Sequence, residues 1–151
     1  MGLRSIYIYI QISFITLSAS ENIKNEYFVN NSIFSAKIVR DDWGVPHIYG
    51  KRDADVAYGL AYAHSEDDFE TIQDVIYAAR GKLSLIHSSR DAAVNDYYVH
   101  SMNFWEMVDQ RYENEIPKDI KLLCEGYSAG INSFLIDNPL IKKKGFEEVI
   151  P

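Results

Sequence analysis

Apolar residues recur along this chain at two spacings, and the change between them divides it into a short extended region and a helical body. From Ile33 to Arg40, β-branched and small residues are mixed without helical periodicity. Asp42-Trp43-Gly44 reads as a turn, and Val45 to Tyr49 reads as a second extended piece with Pro46 early in it or on an edge, where a missing N–H costs no ladder bond. After Gly50 the spacing becomes helical. Asp53 is placed as an N-cap, with Val56, Leu60 and Ala63 following. A second helix is predicted over Ser65–Arg80, with the stripe Phe69, Ile72, Ile76 and Ala79. Glu66, Asp67 and Asp68 fall in its first turn, where carboxylates favour the positive end of the helix dipole, and Gly81 is placed to cap it. Lys82 to Asp91 is a polar connection. A tyrosine-rich helix over Ala92–Glu115 would turn Tyr97, Ser101, Phe104, Met107 or Val108, and Tyr112 inward. Pro117 opens a last helix, Lys118 to about Ile136, with Ile120, Leu123, Tyr127, Ile131 and Phe134 on one face and Asn138-Pro139 as its stop. The expected fold is mostly α with a short N-terminal strand pair.

Residues 1–20 carry Arg4, an apolar run from Ile6 to Leu17, and then Ser18, Ala19 and Ser20, the layout of a secretory signal peptide cleaved near Ala19 or Ser20. A buried N-terminal strand would suit the same β-branched content. The run is too short for a stable membrane span, and Gln11, Ser13 and Thr16 dilute it. Residues 21–32 are polar and Asn-rich and read as a linker, which leaves residues 33–151 for the ordered body. That length is enough for one domain with a core. A net charge of −7, with Lys142-Lys143-Lys144 as the only basic run, argues against a nucleic-acid partner, because neutralising phosphates takes clustered cations. Cys124 is the only cysteine, so no disulfide forms within the chain; in a helical stripe it reads as small core filler.

The densest chemistry lies between Arg40 and Glu70. His64 and Asp68 share a helix face at i, i+4 with Asp67 nearby, but a metal cage needs further ligands, and the chain has no second Glu-x-x-His or His-x-x-x-His. These acids read as helix-start residues, and no metal ligand is assigned. Ser, His and Asp are abundant, yet no G-x-S-x-G elbow organises them, so no catalytic residue is assigned either. His47 reads as a packed, hydrogen-bonded histidine, and Trp43 and Tyr49 as core anchors beside a turn. Gly59, Gly126 and Gly130 weaken their helices and therefore suggest close approach of another backbone.

Three separated stretches, Arg40-Asp41-Asp42-Trp43-Gly44-Val45-Pro46-His47-Ile48-Tyr49, Gly59-Leu60-Ala61-Tyr62-Ala63-His64-Ser65-Glu66-Asp67 and Glu125-Gly126-Tyr127-Ser128-Ala129-Gly130-Ile131-Asn132, together resemble the start of the small-chain region of penicillin acylases. That family includes penicillin G, cephalosporin and acyl-homoserine-lactone acylases. The resemblance covers about Ser35 to Asn138 and implies an exported, periplasmic or secreted N-terminal-nucleophile hydrolase whose precursor cuts itself into a small and a large chain. The large chain then begins with a Ser that attacks a small N-acyl amide, its own α-amino group acting as base. The small chain would wrap a four-layer αββα core. On this reading Trp43, Gly44, Pro46, His47, Gly59, Tyr62, Glu66, Asp67, Gly126, Tyr127, Gly130 and Asn132 are structural motif residues that hold the small chain to its partner. No substrate-binding residue is assigned. No cofactor is expected in this chain; calcium would belong to the full-length enzyme. Asp68 departs from the family, many members of which carry Arg there. The chain is then the N-terminal part of such a hydrolase and inert without its large chain. A rival from another class is a self-sufficient secreted helical module that binds or regulates without catalysis.

Overall fold

Asp41 organises the first hairpin. Its carboxylate accepts the backbone N–H groups of Trp43 (3.0 Å) and Val45 (2.9 Å), while its own N–H donates to the Val45 carbonyl. Gly44 closes the turn at φ +82°, which a residue with a Cβ adopts only under strain. The hairpin joins β2 (Ser35–Arg40) to β3 (Pro46–Gly50), paired antiparallel from Arg40↔Pro46 to Ala36↔Gly50. Pro46 is the first residue of an edge strand, as its chemistry demands. The structure is a computed structural model that describes residues 25–141. The signal-peptide segment 1–20 and the Lys142–Lys144 run lie outside those residues.

The sheet has a third strand that the sequence pattern did not reveal. Residues assigned to a linker form β1 (Asn25–Asn30), antiparallel to β2 from Asn25↔Arg40 to Asn30↔Ser35. Its polar ends hide an alternation in which Tyr27 and Val29 turn inward. Asn31 builds the connecting turn, its side chain accepting the N–H groups of Ile33 and Phe34, each at 2.8 Å.

The two helices expected over residues 53–80 are present as two halves of α1 (Asp53–Ala79), and the break falls at Asp68 (φ −155°, ψ 68°) rather than between His64 and Ser65. The Asp68 carboxylate accepts the Thr71 N–H at 3.0 Å and so caps the second half of the helix. Arg52, not Asp53, occupies the N-cap position, and the Asp55 carboxylate reaches back to the Arg52 N–H (3.1 Å). At the far end Gly81 (φ +62°) ends the helix as expected, with Gly81 N–H on the Ala78 carbonyl and Lys82 N–H on that of Tyr77.

A 3-10 turn at Leu83–Leu85 leads to α2 (Arg90–Ser101), N-capped by Ser89. The single helix expected over Ala92–Glu115 is broken, because Asn103 enters the left-handed region (φ +55°) before α3 (Phe104–Glu115). Its expected apolar line fails with it. α2 buries Ala92, Asp96 and Val99 and leaves Tyr97 exposed, and no residue of α3 is buried.

The last helix, α4 (Lys118–Asp137), packs along α1, which itself lies on one face of the sheet through β2 and β3. Its buried residues are Gly126, Gly130, Ile131 and Phe134; Ile120, Leu123 and Cys124 of its first half are exposed, so Cys124 is not core filler. The core between the layers joins Val29, Phe34, Ala36 and Ile38 to Tyr58, Ala61, Tyr62 and Phe134. Fold class is therefore as expected, mostly helical with short N-terminal strands, with three strands where two were read.

The close crossing of α1 and α4 depends on the missing side chains at two positions. A Cβ on Gly126 would fall on the carbonyl oxygen of Ala54, and one on Gly130 on that of Tyr58. These obstacles are backbone atoms of a helix and cannot rotate away. Gly126→Val and Gly130→Val should each cost about 2–3 kcal/mol, near the upper range for overpacking, or prevent folding. Denaturant unfolding checks this, and midpoints equal to wild type would show that the helices do not cross here.

Candidate functional site

The strongest polar constellation lies where the hairpin meets the first half of α1, and its centre is Arg40. One guanidinium nitrogen, Nη1, donates to the Gly44 carbonyl at 2.8 Å, while Nη2 pairs with Glu66 at 3.0 Å and Asp67 at 2.9 Å. The same Nη2 lies 3.4 Å from the Ala63 carbonyl, and the Tyr27 hydroxyl donates to Glu66. One side chain thus joins β1, β2, the turn and α1.

This location changes the meaning of Glu66 and Asp67. Expected in the first turn of a helix, they sit just before the Asp68 break, at the carboxyl end of a helical half, where the dipole disfavours anions. Arg40 supplies the compensating charge. Burial works against the guanidinium's charge, but Glu66, Tyr27 and Asp67 outweigh that and hold it charged well above its ordinary range. Burial and the bond to Glu66 push the Tyr27 hydroxyl up to about 12, so it remains a donor at physiological pH. Arg40 and Tyr27 carried no role in the sequence reading. The available signal was a lone arginine ending a strand just before an Asp-x-x-x-Val turn, with a Glu-Asp pair further on.

A second charged pair anchors the other end of the sheet. Asp55, buried, accepts from Arg52 Nε (2.9 Å) and Nη2 (2.7 Å) and lies 3.3 Å from the Ser35 N–H. The Arg52 hydrogen bonds bring its carboxyl down to about 2 against the cost of burial.

The motif residues separate into those that pack within the chain and those that face outward. Gly59 lets Ala36 and Ile48 of the sheet lie directly on α1. Tyr62 is buried and donates to Asp137 at 2.9 Å, which together with burial raises its hydroxyl pKa. Tyr127 is half-buried with its hydroxyl 3.3 Å from His64 Nδ1, and Asn132 is half-buried on α4 beside Ile131. Trp43, by contrast, is 88% exposed and Tyr49 57%, so neither anchors the core. Pro46 is half-buried, while His47 is exposed, 3.4 Å from Asp41.

The residues weighed as metal ligands have other partners: His64 faces Tyr127, Asp67 pairs with Arg40 and Asp68 caps its helix. Nor do the imidazoles form nucleophile–base pairs. His47 meets Asp41, His87 meets Asp74 at 2.9 Å, and His100 meets the Gly81 carbonyl at 2.9 Å. The chemistry of this arrangement is positional, holding strands, turn and helices in register.

Residues 35–145 match the model of the family described as penicillin amidase. An acyl-homoserine lactone acylase, PvdQ, of Pseudomonas fluorescens is 27% identical over 109 residues, covering 68% of this chain and 14% of that protein. The penicillin acylase 2 proenzyme of a Pseudomonas species is 28% identical over 99 residues, covering 66% of this chain and 12% of that protein. This chain therefore spans about one seventh of the length of the curated relatives it matches. Among solved structures, a thermostable penicillin G acylase from Alcaligenes faecalis aligns with TM-score 0.58 at 21% identity, over 76% of this chain and 56% of that chain.

Arg40→Met should cost about 1–2 kcal/mol, since it removes the partner of two exposed carboxylates and the donor to the turn carbonyl. Adding Glu66→Gln should recover part of the loss; a double-mutant cycle with no coupling would remove Arg40 from the centre of the cluster. For Asp55 the sign follows from a depressed folded pKa. Its stabilisation is present above the ordinary value of 3.8 and is lost as pH falls toward about 2. Asp55→Asn should therefore destabilise the chain at neutral pH and flatten the acid limb of its stability curve. Unfolding followed from pH 5 to pH 2 checks this, and parallel curves for variant and wild type would contradict it.

Proposed function

This chain belongs to the penicillin amidase family, and we propose on that footing that it is the N-terminal part of the small chain of an exported N-acyl amide hydrolase. The observation that carries the reading is the family match over residues 35–145, whose motif stretches coincide with the hairpin, the first half of α1 and the glycine face of α4. Two further findings support a two-chain enzyme. One relative is named a proenzyme, and the chain matched in the solved acylase is less than twice as long as the aligned segment, although comparable segments are about a seventh of the curated relatives.

In the proposed reaction, an N-terminal serine of the large chain attacks the amide carbonyl. Its α-amino group takes the hydroxyl proton and returns it to the departing amine. Water then attacks the resulting ester, releases the carboxylic acid and restores the serine. The present chain supplies support: Arg40, Asp41 and the crossing of α1 and α4 fix a scaffold beside which the partner's reacting groups are held. No helix of the described residues is long and apolar enough to cross a membrane. The reading makes residues 1–20 a leader that is removed on export. No cofactor is proposed for this chain; any calcium site belongs to the rest of the full-length enzyme.

The test combines this chain with the large chain of a family member. We expect complex formation and hydrolysis of a chromogenic N-acyl amide by the mixture, and background rates for this chain alone. Turnover by the repurified chain alone, or a cooperatively folding monomer that ignores the large chain, would favour the self-sufficient module.

A further inference from the structure

Two helical segments end at one place in this fold. The Tyr62 hydroxyl, one turn before Glu66, donates to Asp137 at 2.9 Å, which sets the carboxyl end of α4 beside the carboxyl end of the first half of α1. A single amino end, that of the second half of α1 after Asp68, offsets them, so the helix dipoles leave a net negative field. Side chains deepen it. Glu66, Asp67, Asp68 and Glu70 fall within five consecutive residues, Asp137 adds a fifth carboxylate, and Arg40 brings one positive charge to the group.

A cavity of about 320 Å³ opens at the same break. Phe69 and Gln73, both buried, line it together with the four carboxylates of α1, and no lysine or arginine is among its described lining residues. Ile141 forms part of its wall. The chain reaches that position through a turn in which the Asn138 N–H and Nδ2 both donate to the Phe134 carbonyl at 2.9 Å, and the Ile141 N–H donates to the Asn138 carbonyl at 3.1 Å. Lys142, Lys143 and Lys144 come next, and they are the only basic run of the sequence.

We propose that Lys142–Lys144 fold back over this cavity and pair with the carboxylates at the α1 break, a clasp that fixes the direction in which the chain leaves α4. The inference does not depend on the hydrolase reading. Its occupant follows from place and charge. The run starts one peptide bond from a residue of the cavity wall, and three residues reach at most about 10 Å, so little loop-closure entropy opposes the pairing. Cations favour helix carboxyl ends for the reason that anions avoid them. Other basic side chains are engaged elsewhere: Arg52 with Asp55, Arg80 over the Trp105 ring and Lys121 with Glu113.

Zero-length carbodiimide coupling of the full chain, read by peptide mass spectrometry, tests the clasp, because it links a lysine only to a carboxylate already in contact. Links from Lys142, Lys143 or Lys144 to Asp68 or Glu70 are expected in native buffer and should disappear in urea. Replacing all three lysines by Ser should lower the melting midpoint by about 3 °C in about 0.01 M salt and by less than about 1 °C in about 1 M salt, where screening removes the attraction. The low-salt loss should shrink in a Glu70→Gln background, since the two changes remove one interaction. Links confined to other acidic residues, links between two copies that increase with concentration, or a triple variant that melts like the wild type at low salt would each overturn the proposal.

Discussion

Everything in this chain is arranged around a contact without side chains. α4 lies against α1 closely enough that Gly126 and Gly130 rest on the carbonyl oxygens of Ala54 and Tyr58. That approach brings Ile131 and Phe134 down beside Tyr62 and Phe69, and it places Ser133 within 2.9 Å of the Tyr58 hydroxyl. Because α1 also carries Gly59 against the sheet, it is gripped on two sides. Two glycines in α4 and one in α1 lower helix propensity, a cost of roughly 1 kcal/mol each relative to Ala that tertiary packing must offset.

Charge does the remaining positioning. Arg40 ties the Gly44 turn to a carboxyl-terminal helical end that already carries Glu66 and Asp67, while Arg52 with Asp55 ties the amino-terminal end of α1 to the β1–β2 connection at Ile33 and Ser35. Each cluster joins a strand connection to α1.

What was legible in the sequence follows from how local each signal is. Gly81, Pro46 and the Asp42-Trp43-Gly44 turn are short-range effects of backbone conformation, and they sit where the residues require. The glycines of α4 announced close approach of another backbone correctly, whereas Gly59 makes room for the side chains of Ala36 and Ile48. β1 was missed because its alternation is short and flanked by Asn25, Asn30 and Asn31, which read as a linker until β2 is there to pair with them. Asn103 adopts a left-handed conformation inside an apparently continuous apolar stripe, so periodicity carried one helix across what are two. Exposure of Trp43, Tyr49, Cys124 and Leu123 eluded the pattern for another reason. Apolar residues that end exposed and apolar residues that end in a core look alike in one chain's sequence.

Amide hydrogen exchange of the chain, alone and mixed with the large chain of a family member, tests the central claim most directly, because it resolves which segments are held from within. The account predicts the slowest exchange in both states around 57–65 and 128–134, where α1 and α4 cross. It also predicts fast exchange in α3, which buries no residue. Fast exchange at the helix crossing, or slowest exchange in α3, would contradict it.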